Sequence, residues 1–225
     1  MTHQKVNVLI VDDSAMIRRV LTLGLNEDPE IEVLGAASSA EMARRHIERA
    51  KPDVITLDLE MPEMDGLSFL KSYIHKNPIP TVVISSFTQE GARASIDALQ
   101  AGAVDVIAKP TLSGSGMSNA SLIDIRERVK VAAKAHVVSK PIVQENSSAV
   151  TRAKLDDGRP SDWIIGIGAS TGGVQALAEV LPKLPKTSPG IVVVQHMPEG
   201  FTLPFSRRLN SVCAITVSEA KDGDI

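Results

Sequence analysis

Several things are scarce in this 225-residue chain. It has one cysteine, Cys213, which cannot close an internal disulfide, so the expected compartment is the reducing cytoplasm. Aromatic residues make up only 3%, which leaves aliphatic side chains to build the core. No apolar run approaches the roughly 18 residues of a membrane helix, so direct membrane insertion is not expected. The opening MTHQKVNVLIVDD reaches acidic residues too soon for a secretory signal. A basic excess is missing too: 24 Lys and Arg stand against 27 Asp and Glu, a net charge of −3. Nothing global therefore attracts nucleic acid. The five histidines show no metal-site spacing with cysteine or with one another.

What is present is an alternation. KVNVLIVDD, IEVLGAAS, PDVITLDLE, IPTVVISS and AVDVIAKP are short, β-branched apolar runs, as strands buried on both faces should be. Helical stretches separate them. Ser14 can cap AMIRRVLTLGL, Ser38 with Glu41 forms a capping box before MARRHIERA, Asp65 can start GLSFLKSYIHK, and Thr88 can start QEGARASIDALQAG. Residues 121–136 predict a fifth helix with Leu122, Ile125, Val129, Ala132 and Ala133 on one face. The pattern is α/β, a doubly wound parallel sheet. Periodicity fades from about 137 to 161, which reads as a linker. A second α/β pattern follows: strand WIIGIG, helix GGVQALAEVL, strand GIVVVQH, helix FTLPFSRRL and a third strand CAITVSEA.

Ligands of open α/β sheets sit beyond the carboxyl ends of the strands. Asp12 and Asp13 end the first expected strand, Asp58 the third, Ser85 the fourth, and Lys109 follows the fifth. Three carboxylates in one crevice repel one another, and a hard divalent cation such as Mg²⁺ relieves this with oxygen ligands. A carboxylate beside such an ion and an ammonium group suits phosphoryl acceptance. Taken singly, each residue reads as a turn former or loop; the ordered set is what points to a site.

VLIVDDSAMIR, DVITLDLEMPEMDGL, VVISS and DVIAKP resemble the signature segments of a response-regulator receiver domain. The resemblance implies a flavodoxin-like fold with Asp58 as phosphoacceptor. It implies that Mg²⁺ is held by Asp12, Asp13, Asp58 and the backbone carbonyl of Glu60. Ser85 would be the switch hydroxyl and Lys109 the ion-pairing lysine, with a Lys109–Pro110 bond of the kind often cis. The family's switch aromatic would fall near Val106, which is not aromatic, so a rotamer switch of that type is not expected.

The stretch GIGASTGG (166–173) admits three readings. As a G-x-G-x-x-G dinucleotide fingerprint it fails at Thr171. As structure, its glycines permit a tight turn and close packing. As a nucleophile elbow, Gly168 to Gly172 matches G-x-S-x-G between a strand and a helix. Ser170 would then project above the sheet, with the Thr171 amide facing an oxyanion. His196, which ends the next strand 26 residues on, could serve as base. No convincing third group follows among Glu199, Glu219, Asp222 and Asp224.

IGASTGG, VVVQHMPEGFT, FSRRLN and SEAKDGD together resemble the catalytic domain of chemotaxis protein-glutamate methylesterases (CheB). The expected organisation is a receiver at 1–125, a helix end and linker at 126–161, and the first part of a methylesterase domain at 162–225. The resemblance implies Ser170 as nucleophile, His196 as base, the Thr171 amide in the oxyanion hole and no cofactor in this domain. It implies methyl-esterified glutamates, and certain glutamines, of chemoreceptor cytoplasmic domains as substrates. A chemotaxis histidine kinase would be the phosphodonor. The family's orienting aspartate lies downstream of residue 225, so an inactive or weakly folded esterase segment is expected. The rival is a non-enzymatic receiver or phosphate sink. A DNA-binding regulator would need a basic helix-turn-helix that is not seen here, and a dinucleotide site ranks last.

Overall fold

The structure, a computed structural model, describes residues 5–86, 88–109, 118–137 and 163–224. Strands β1 (Val6–Val11), β2 (Ile31–Ala37), β3 (Val54–Asp58), β4 (Thr81–Ser85) and β5 (Asp105–Ala108) form one parallel sheet in the order β2-β1-β3-β4-β5. All five expected runs are strands, and the first block is the expected doubly wound fold. Alternate residues feed two layers, as the two-residue strand period requires. Leu9, Val11, Ile55, Leu57 and Val83 pack with residues of α2 (Ala40–Arg49), α3 (Gly66–Phe69) and α4 (Gln89–Gln100). Val8, Ile10, Val54, Val82 and Ile84 pack with residues of α1 (Ala15–Asn26) and α5 (Asn119–Ala133). Every residue of β3 and β4 is buried, which is why their apolar runs are nearly unbroken.

The helix starts follow local chemistry. Ser14, Asp65 and Thr88 cap α1, α3 and α4 as expected, accepting from the amides of Ile17 (3.4 Å), Ser68 (2.8 Å) and Gly91 (2.9 Å). At α2 the expectation was off by one residue. The cap is Ser39, whose Oγ accepts from Met42 N at 3.3 Å, whereas Ser38 Oγ lies 3.2 Å from Met42 Sδ. One residue turns a helix by about 100°, and this start is the one that buries Ala40, Ala43 and Ile47. Helix α3 is regular only to Phe69; Leu70–Ile74 continue as a wider π turn, with His75 N donating to Leu70 O at 2.9 Å. Helix α5 begins two residues before the expected 121, behind Ser118, and ends at Ala133. Leu122, Ile125, Val129 and Ala132 are buried as expected.

In the second block, β6 (Ile164–Ala169) and β7 (Gly190–Gln195) form a parallel pair, with α6 (Gly173–Val180) between them and α7 (Thr202–Val212) after β7. The expected third strand, CAITVSEA, is absent: residues 213–220 are irregular. A strand exists only within a ladder, and here the Val217 amide is taken by Asn210 Oδ1 at 2.9 Å. Val174, Leu177, Leu181, Phe201, Phe205 and Leu209 join the α4-side core, so the second block docks on the first. The expected linker from 138 onward and Pro110 lie outside the described residues.

Candidate functional site

Two neighbouring strand ends, those of β1 and β3, bring the acids together. Ligand oxygens of Asp12, Asp13 and Asp58 all lie within 4.8 Å of one another, with Asp12 and Asp58 buried and Asp13 exposed. Lys109 Nζ sits 2.7 Å from Asp58 Oδ2 and 3.2 Å from Asp12 Oδ2. Burial pushes the Asp58 carboxyl above the ordinary carboxylate value; the Lys109 hydrogen bond opposes this and the Asp12 charge adds to it. Burial likewise raises Asp12 against the pull of Lys109. Burial alone would lower Lys109, but its bond to Asp58 and the two carboxylate charges raise it. One ammonium thus leaves two buried carboxylates incompletely balanced. Asp12 Oδ2 is buried and receives no hydrogen bond of ordinary geometry. Hard oxygen donors in negative excess, the two buried ones sharing a single ammonium, fit a divalent cation such as Mg²⁺.

The neighbours of the cluster are mixed. Glu60 N donates to Asp58 Oδ1 at 3.1 Å, while its side chain accepts from Ser86 Oγ at 2.5 Å. Ser85 is buried at the end of β4, but its hydroxyl donates to Gly91 O at 3.2 Å and not to Asp58. Val106 is a buried core residue of β5. Arg18 is a partner that sequence reasoning missed. Its NH1 donates to the carbonyls of both Asp12 and Asp13 at 2.8 Å, fixing the loop that carries them. Its only signal in the sequence is its place one turn into α1.

The second constellation is built by register. Ala169 pairs with Gln195, and His196 N extends the ladder by donating to Ala169 O at 2.9 Å. The residues next in line are Ser170 and His196, and Ser170 Oγ lies 3.4 Å from His196 Nδ1. Both side chains are exposed. The turn into α6 is made by Gly172, at φ +79°, a region that favours glycine. A Cβ on Gly173 would strike Gln195 Oε1 and come within 2.7 Å of the Ala169 side chain. Gly166 and Gly168, by contrast, face open space, so close packing does not explain them. Among described residues Glu63 alone has positive φ without being glycine. Ser170 is therefore not in the strained conformation expected of an elbow nucleophile.

The first block reaches into this constellation. Thr171 Oγ1 donates to Asp105 Oδ2 at 2.7 Å, and Gly172 N donates to Val104 O at 3.1 Å. Arg128, on α5, is 5% exposed and brings its NH2 to 2.9 Å from His196 Nε2 and 3.2 Å from Nδ1. Sequence reasoning missed it, since a charged residue in a helix that faces a buried strand looks like a solvated face. Among described residues no carboxylate bonds His196: Glu219 pairs with Thr202 Oγ1, and Asp224 accepts from Lys221 N.

Residues 8–118 match the response regulator receiver domain family, and residues 165–225 match the CheB methylesterase family. The chain is 51% identical over 221 residues to protein-glutamate methylesterase/protein-glutamine glutaminase 2 of Cereibacter sphaeroides, covering 98% of this chain and 59% of that protein. It is 46% identical over 231 residues to the corresponding enzyme of the group 3 operon of Rhodopseudomonas palustris, covering 100% of this chain and 64% of that one. The crystal structure of the response regulator domain of Thermotoga maritima CheB superposes with a TM-score of 0.52 at 38% identity, covering 59% of this chain and 99% of that one. The chain thus spans about three fifths of the length of the curated relatives it matches. A parallel five-stranded receiver, carrying its acids at the strand ends and followed by a matching esterase segment, belongs to the CheB family of response regulators.

Proposed function

We propose that this chain is a phosphorylation-regulated hydrolase of chemotaxis adaptation, acting in the cytoplasm. Its substrates are glutamate methyl esters, and certain glutamines, on the cytoplasmic domains of chemoreceptors. The reading divides the chain into a receiver (1–125), a helix end and linker (126–161) and an esterase segment (162–225). Among described residues no helix is long and apolar enough to cross a membrane.

The observation that carries the reading is Ser170 Oγ standing 3.4 Å from the His196 ring at adjacent parallel strand ends. Ser170 attacks the ester carbonyl while His196 takes its proton. His196 returns that proton to the departing methanol, and water then releases the glutamate. The Thr171 amide, at the start of α6, is the proposed oxyanion donor.

Control lies in the receiver. Asp58 accepts a phosphoryl group from a chemotaxis histidine kinase; Asp12, Asp13, Asp58 and the Glu60 carbonyl would hold Mg²⁺. When bound, the ion neutralises charge on the phosphoryl oxygens. Lys109, already 2.7 Å from the Asp58 carboxylate, pairs with the new group. Ser85 would have to leave Gly91 O to reach it, drawing the β4 end inward. In this reading the unphosphorylated receiver restrains the esterase.

A second reading has a specific basis, namely that no described carboxylate orients His196: a receiver module without esterase chemistry. Without that carboxylate, turnover of these 225 residues alone is expected to fall by about 10⁴. Methanol release from methylated receptor fragments separates the two readings. Slow release that disappears in Ser170→Ala supports the hydrolase, whereas release independent of Ser170, or none, leaves only a phosphate-gated module. Acid-labile phosphate incorporated from acetyl phosphate, and lost in Asp58→Asn, tests the receiver half.

A further inference from the structure

A third side chain ties Ser170 and His196 together. Gln195 is the last residue of β7 and is half-buried. Its Nε2 donates to Ser170 O at 2.9 Å and to His196 O at 3.1 Å. Both acceptors are carbonyls, which only the nitrogen end of a carboxamide can serve, so these partners fix the orientation of the amide. The other end, Oε1, is buried without a donor among the described residues. It lies where a Cβ on Gly173 would stand. A buried acceptor left unpaired is costly, and an apolar side chain of the same length would avoid that cost. Packing alone therefore gives no reason for a glutamine here.

The ladder supplies the reason. Hydrogen bonds between parallel strands are evenly spaced and recur every two residues. His196 N donates to Ala169 O at 2.9 Å, so the next rung would run from Thr171 N to His196 O. That rung is not made, because the chain has already turned toward α6, with Gly173 N donating to Ser170 O at 2.7 Å. The His196 carbonyl loses its backbone donor, and the Gln195 amide stands in that place. One NH₂ group thus holds the backbone of the proposed nucleophile and of the proposed base at the point where both have run past the ladder.

We propose that Gln195 is a positioning residue of the hydrolase. Its carboxamide replaces the missing rung, keeps Ser170 and His196 in register, and leaves the Thr171 amide for the oxyanion. The proposal rests on the Ser–His reading above.

The test is the labelling of Ser170 by a fluorophosphonate, in which Ser170 Oγ displaces fluoride from phosphorus and His196 takes the proton. The whole 225-residue chain is used, and rates are compared per folded molecule, from hydrogen exchange at Ile164–Ala169. Gln195→Met keeps the length and loses both donations. It should lower the maximal labelling rate by about tenfold or more and leave the half-saturating fluorophosphonate concentration unchanged. Gln195→Glu keeps the shape; its carboxylate cannot donate, but its protonated form can. Its rate relative to the parent at the same pH should be lowest near about pH 8 and recover toward about pH 5, since burial favours the protonated carboxyl. The Gln195→Met ratio should stay flat over that range. Both variants labelling at the parent rate, while His196→Gln stops labelling, overturns the role of Gln195 and leaves the Ser–His reading standing. A lowered Gln195→Glu ratio that does not change with pH makes Gln195 a packing residue only and also overturns the proposal. Labelling that is indifferent to His196→Gln overturns the Ser–His reading and the proposal with it.

Discussion

Carboxylates in this chain feel opposite forces according to where they stand. Asp65, exposed at the start of α3, is held below the ordinary carboxylate value, chiefly by the Ser68 amide. Asp12 and Asp58 are raised by burial. A lowered folded value means that the contribution of Asp65 is complete above its unfolded value, near 3.8, and is lost as pH falls through the lower folded value. Asp65→Ala should cost about 1 kcal/mol at pH 7. Asp65→Asn, which still caps but does not titrate, should cost little at pH 7 and flatten the decline below about pH 4. Urea midpoints at pH 7 and pH 3 would check both. Caps of this kind were legible because they depend on a few neighbours. Ser39 was misread as Ser38 because a choice between adjacent serines is made by which helix face meets the sheet.

At the scale of elements, the turn between β6 and α6 shows how much local geometry a glycine run encodes. Gly172 and Gly173 are both required, for different reasons: one for its left-handed backbone and one for the close approach of Gln195 and Ala169. Gly172→Ala should cost about 1–2 kcal/mol from the left-handed conformation. Gly173→Ala should cost about 1–3 kcal/mol from overpacking and should also displace Gln195, whose Nε2 donates to Ser170 O at 2.9 Å. Slower Ser170 labelling in the second variant than in the first, at matched folded fraction, would bear this out; equal rates would not. Strand identity was legible for the runs that found partners. It was not legible for CAITVSEA, whose β-branched composition is real but whose amide at Val217 bonds a helix side chain.

At the scale of the whole molecule, the two blocks are unequally supported. The receiver sheet is packed on both faces, and β3 and β4 are fully buried. The β6–β7 pair is covered on one side; on the other, Ile164 is 75% and Val194 69% exposed. Local opening should therefore cost far less in β6–β7 than in β3–β4. Hydrogen exchange on these 225 residues should show strong protection at Val54–Asp58 and Thr81–Ser85, with exchange many-fold faster at Ile164–Ala169 and Gly190–Gln195. Equal protection in the two sheets would contradict this account.

The sequence by itself determined the strands of the receiver, the acids and lysine at their ends, and the serine and histidine one residue beyond two further strands. Those features follow from strand periodicity and from the rule that parallel strands point their carboxyl ends one way. Only the tertiary structure decided that Ser85 bonds Gly91, that Arg18 braces the acid loop, and that Arg128 reaches His196 across 68 residues of chain. Such contacts depend on which faces meet when separate blocks dock, and a side chain's long-range partner leaves no periodic trace in its neighbours.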